Sequence, residues 1–129
     1  MPTLAIKVLL DQVASYLAAQ GIGTVGTNLF KGTMPDSPVK CISITASGGP
    51  RVKGDALHRP RIQISVRDIS YPVGLVTTQS VFDALDHKVV ILGTLHGRFR
   101  PEGEPGMFTR DVNERFVFPL NFSTVINPV

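Results

Sequence analysis

The chain has 129 residues, enough for one domain of ordinary size, and with 43% of them hydrophobic it can bury a real core. Thirteen Lys and Arg against ten Asp and Glu leave a net charge of +3, far weaker than that of a dedicated DNA binder, and the charged share of 18% is thin beside the roughly one quarter usual for a globular protein. No apolar run reaches the ~20 residues of a membrane-spanning helix, the opening MPTLAIKVLLDQ does not read as a signal peptide, and the single Cys41 excludes an internal disulfide and fits a reducing compartment.

In chain order, residues 3–20 predict a helix. Ile6, Leu9, Leu10, Val13 and Leu17 recur at helical spacing, Thr3 can cap the start, and Gly21 stands where a helix stops. The glycine-rich stretch GIGTVG is a loop, residues 28–31 can form a short strand, and residues 34–38 make a turn. Residues 41–47 alternate, with Ile42, Ile44 and Ala46 on one side and Cys41, Ser43 and Thr45 on the other. Residues 48–60, GGPRVKGDALHRP, form a long loop, of a length that is usually functional or mobile. Residues 61–68 are the cleanest strand, with Ile62, Ile64 and Val66 on one face and Arg61, Gln63, Ser65 and Arg67 on the other, as in an antiparallel sheet with one polar face.

Residues 72–86 predict a second helix, with Pro72 in its first turn and Leu75, Val81, Phe82 and Leu85 facing the sheet. Strands follow at 89–92, 94–100 and 107–112, with PEGEPG as a hairpin tip or loop. Residues 115–126 place Phe116, Phe118, Leu120 and Phe122 on one face. Pro119 inside that run points to an edge or bulged strand, because a central strand cannot easily lose a ladder donor. The order of elements predicts an α+β fold: a single domain over 1–129, mainly an antiparallel β-sheet with two helices packed on one face and long loops.

The charge is unevenly placed. Residues 48–72 carry Arg51, Lys53, Arg59, Arg61 and Arg67 against two acids, whereas residues 73–129 are net −1. This basic segment is either a solvated loop and sheet face or a surface for a partner, nucleic acid included. The thin overall charge has two readings as well: covering by a partner, or solvation by neutral polar residues.

Catalytic signals are weak. Gly21–Gly26 matches GxGxxG, but it leaves a helix, whereas a dinucleotide site must leave a strand and open a helix. No GxSxG elbow is present, and Asp83 and Asp86 beside His87 read as a solvated helix end. Cys41 in an alternating strand reads as a small apolar residue, and neither a metal-ligand spacing nor a cofactor motif emerges. An enzyme is therefore not expected.

Residues 13–38 read VASYLAAQGIGTVGTNLFKGTMPDSP. Tyr16, Leu17, Gly21, Ile22, Gly23, Thr24, Gly26, Asn28, Leu29, Phe30, Gly32, Met34, Pro35 and Pro38, followed by Ile42, Ile44, Gly48 and Gly49 and then by Pro60, Ile62, Gln63, Ile64, Val66, Arg67 and Tyr71, resemble the minor capsid proteins of tailed bacteriophages that act as tail terminators. The resemblance covers roughly the first two-thirds of the chain.

It implies a structural virion protein of the tail and neck, assembled in the host cytoplasm. Copies would close a six-fold ring that caps the tail tube protein, docks the head-side connector protein and lets DNA pass unread, with no membrane involved. Phe30, Arg51, Lys53, Arg59, Arg61 and Arg67 are the candidate contact residues, with Arg61 and Arg67 facing the lumen and its DNA. Two alternatives remain: another neck or head-completion connector protein, and a small nucleic-acid-binding module. Two tyrosines and no tryptophan weigh against base stacking in the latter.

Overall fold

The computed structural model describes residues 6–50, 58–86, 89–92 and 95–128. Among the described residues the chain folds as two helices, α1 (Ile6–Ala19) and α2 (Tyr71–Leu85), on one face of a seven-stranded sheet. The strands are β1 (Leu29–Lys31), β2 (Cys41–Ala46), β3 (Arg61–Asp68), β4 (Val89–Leu92), β5 (Leu95–Pro101), β6 (Thr109–Arg110) and β7 (Phe116–Pro128). They lie in the order β1-β2-β3-β7-β5-β4, with β6 also paired to β7. Every pairing is antiparallel except β1 with β2, so the expected fold class holds, with one parallel pair the alternation could not disclose.

α1 buries Leu9, Val13, Ala14 and Leu17, while Ile6, expected on that face, is exposed in the first turn. The Thr3 cap lies outside the described residues. Gly21 ends the helix with φ +78, and the amides of Gly21 and Ile22 donate back to Ala18 and Leu17, the paired closure that a left-handed glycine permits.

The core follows from the alternation. Across β2, β3 and β7 the register sets Ile42 by Val66 and Phe118, and Ile44 by Ile64 and Leu120, with Ile62 by Phe122 beyond them. Phe99 of β5 and Ile126 extend this layer, and Val81, Phe82 and Leu85 of α2 close over it. Helix α2 starts at Ser70, whose hydroxyl accepts from the Val73 amide. It approaches β7 so closely that a Cβ on Gly74 would stand 2.5 Å from the Phe118 ring, which no side chain tolerates. Asp68 lies under this helix start. Its Oδ1 accepts from the Ser70 amide, and its Oδ2 is the one buried side-chain oxygen with no partner among the described residues. The positive end of α2 offsets part of that cost.

Two expectations need correction. β7 is the central strand, not an edge: β3 pairs along one side of it, and β5 and β6 share the other. Pro119 is tolerated because β5 ends opposite Phe122 and β6 begins opposite Val117, which leaves a gap in the ladder between them. The Asn121 carbonyl on this side accepts from Glu102. Pro119, two residues earlier, therefore turns its nitrogen toward the gap, where no strand asks for a donor. PEGEPG is the loop that carries the chain past the gap. The strand expected over residues 107–112 shrinks to Thr109–Arg110, because Phe108 turns into an aromatic cluster and Asp111 opens the turn to β7.

Candidate interaction surfaces

The sheet face turned away from the helices has two different ends. At one end, Arg67 and Arg115 pin the segment 34–40 against the strands. Arg67 donates from Nε to the Val39 carbonyl at 2.9 Å and from Nη2 to the carbonyls of Pro38, at 2.8 Å, and Pro35. Arg115 donates from Nη1 to the Asp36 carbonyl at 2.8 Å, from Nη2 to the Asp36 carboxylate at 2.9 Å and from Nε to Asp111 at 2.7 Å. Arg67 is 4% exposed, so its expected place facing the lumen is corrected: its forked donors serve backbone carbonyls of its own chain.

Burial works to raise the Asp111 carboxyl, but hydrogen bonds from the Arg115 backbone and side chain and from the Asn113 amide hold it below the ordinary carboxylate range. A carboxyl with a depressed folded value contributes stability above its unfolded value of about 3.9 and loses it as the pH falls through the folded value. Acid is therefore expected to release the Asp111–Arg115 tie. Hydrogen exchange of the hydrogen-bonded amides of Asp111, Asn113, Glu114 and Arg115 should be slow at pH 6 and lose protection below about pH 4, in step with that titration. An Asp111→Asn variant should show much less of this change.

At the other end the outer face is basic. Arg61 stands level with Ser123 of β7 and Arg100 of β5. The same register continues through the pairing of His58 with Ile126, which sets Arg59 level with Val125 and Arg98. The four arginines thus flank β7 in two rows, about 7 Å apart along the strands and about 10 Å apart across them. They line a concave basin of about 600 Å³ with Pro50, Ser123, Thr124 and Val125. Arg61 is bound to Glu102 at 2.6 Å, and this contact holds the Glu102 carboxyl below its ordinary range. Arg98 and Arg100 are exposed and make no hydrogen bond or ion pair among the described residues.

Of the residues singled out from the sequence, Arg59 and Arg61 meet in this basin, and Phe30 lies half-buried on the edge strand β1, away from it. Arg51 and Lys53 lie outside the described residues. Arg98 and Arg100 were missed, although the alternation His96, Arg98, Arg100 against Phe99 carried the signal.

A third surface is apolar. Tyr71, Phe108, Phe116 and Phe118 form a cluster of rings with centroids 5.3 to 6.4 Å apart, where the start of α2 meets the β6–β7 hairpin. Near it in the chain Ile69, Val73, Val76 and Met107 are exposed, with Val76, Met107 and Ile69 63–68% exposed. Single exposed apolar side chains need no explanation, but several of them at the ends of two neighbouring elements make this region a candidate for contact.

The motifs weighed as catalytic from the sequence form no such site among the described residues. Gly21, Gly23 and Gly26 follow the end of α1, so no helix N-terminus meets them. Cys41 is buried, and desolvation pushes its thiol up, away from the reactive thiolate. Among the described residues no group of three His, Cys, Asp or Glu could hold a metal ion, and no helix is long and apolar enough to cross a membrane.

The sequence profile of one family, described as bacteriophage tail terminator protein, matches residues 16–128, nearly the whole chain. No curated protein matches it significantly.

Proposed function

This chain belongs to the bacteriophage tail terminator family, and from that premise we propose that it closes a ring on the head-proximal end of the tail tube, stops tube growth and docks the head connector. As a member of this family it is a structural component of the virion tail. The action proposed is steric and needs no reacting group, which agrees with surfaces built from apolar and arginine side chains. The observation that carries the ring is the set of exposed apolar side chains at the start of α2 and before β6: Ile69, Val73, Val76, Met107 and Phe108. Contacts between copies in permanent assemblies are the more hydrophobic class of interface. A heterologous contact that repeats by a fixed rotation closes a ring. Tyr71 and Phe116 packed against Phe108 hold its ring in place, which lowers the entropy lost on docking.

The proposed partners are copies of the chain, the tail tube protein and the head-side connector, with DNA passing through the ring without its sequence being read. Mass measurement of the purified protein mixed with tail tube protein tests this: discrete rings at one end of tubes that no longer elongate are expected. A chain that stays monomeric and never caps a tube contradicts it.

A further inference from the structure

We infer that the arginine array over β3, β7 and β5 is a binding surface for the phosphodiester backbone of duplex DNA, with Arg98 and Arg100 its principal contacts. This rests on the ring reading, which brings DNA to the protein, and adds the surface that meets it.

The make-up of the basin favours phosphate over protein. Among the described residues its lining is arginine, serine and threonine, with Pro50 and Val125 the apolar members and no aromatic ring or methionine. The core of a protein contact is depleted in charge and anchored by aromatic side chains. Arginine is instead a usual donor to phosphate, a contact that positions DNA without reading its sequence, whereas the Ser123 and Thr124 hydroxyls already donate to Glu102 and the Pro60 carbonyl. The lack of a stacking ring also argues against a single-strand site, where aromatic faces carry the bases.

Charge is available at the right residues. Glu102 already neutralises Arg61 and also accepts from the Ser123 hydroxyl, whereas Arg98 and Arg100 remain exposed and unpaired among the described residues. His96 stands on the same side of β5, two residues before Arg98, and is exposed too. The basin is also well separated from the aromatic cluster: it lies at residues 123–125 of β7 and the cluster at 116–118, roughly 20 Å apart along one strand. One surface can therefore hold a neighbouring subunit while the other faces the channel.

The test is binding of the full-length protein to a labelled random-sequence DNA duplex, measured by fluorescence anisotropy over a range of salt, for wild type and for the double variant Arg98→Ala, Arg100→Ala. Each phosphate contact contributes about 0.9 to the slope of log affinity against log salt, so the double variant should bind at least tenfold more weakly at low salt, with a slope smaller by about 2. Tube capping by the same variant separates this inference from the reading beneath it. Retained capping with lost DNA affinity supports the inference. DNA affinity and slope equal to wild type overturn it, whether or not capping survives. Capping lost while DNA affinity stays intact would assign the basin to an acidic protein partner instead. A wild type that caps tubes but shows no salt-dependent affinity for the duplex overturns the inference and leaves the ring standing.

Discussion

Replacing Val76 and Met107 together with aspartate is expected to leave the subunit folded and to abolish its association with other copies. Both side chains are mostly in solvent in the single chain, so neither supports its core. In the ring they would be buried. Burying the exposed two thirds of each side chain contributes about 1–2 kcal/mol, so the pair supplies about 2–4 kcal/mol of each contact. A carboxylate forced into an apolar interface adds several kcal/mol of desolvation on top of that loss. Since about 1.4 kcal/mol is a factor of ten, the association constant should fall by more than about a thousandfold. Sedimentation with tube protein present would show monomers only, with an unchanged melting temperature. Rings formed as readily as by wild type would place the subunit contact elsewhere.

Arg67→Ala is expected to act on the fold and leave DNA contact unchanged. The guanidinium satisfies three backbone carbonyls of the segment 34–40 from a buried position. Losing hydrogen bonds from a charged donor, with acceptors left unpaired, costs about 2–4 kcal/mol. That is a large part of the ~5–15 kcal/mol that holds a domain together, and it should lower the melting temperature by roughly 10 °C. Lysine should rescue little, because a single ammonium cannot reproduce the fork that spans Val39, Pro35 and Pro38. The rival role, an arginine facing DNA, predicts the reverse: an unchanged melting temperature and a weaker, less salt-dependent affinity for the duplex.

These two arginine surfaces show what the sequence disclosed and what it withheld. Alternation located β3 and β7 and their inner faces correctly, because Ile62, Ile64 and Val66 and then Phe118, Leu120 and Phe122 must all reach one core. The same alternation set Arg61 and Arg67 on one outer face, and the structure keeps them there. Local periodicity cannot say what lies over that face. A segment some thirty residues earlier folds across Arg67, while Arg61 stays open. Pro119 taught a related lesson. The missing donor correctly demanded a free backbone edge, but a gap of a few residues inside a central strand met the demand as well as a whole edge strand would. Arg98 and Arg100 escaped notice because their importance comes from Arg59 and Arg61 across β7, a pairing made by residues far apart in the chain. The parallel pairing of β1 with β2 is likewise a matter of chain path, and three residues hold too little pattern to announce it.

Termination of the tail tube is the central claim, and tail length in particles assembled without this protein tests it most directly. Electron micrographs should show tubes that grow past the normal length and carry no heads. Tails of normal length beside heads that leak DNA would contradict the account and move the protein to the head side of the neck.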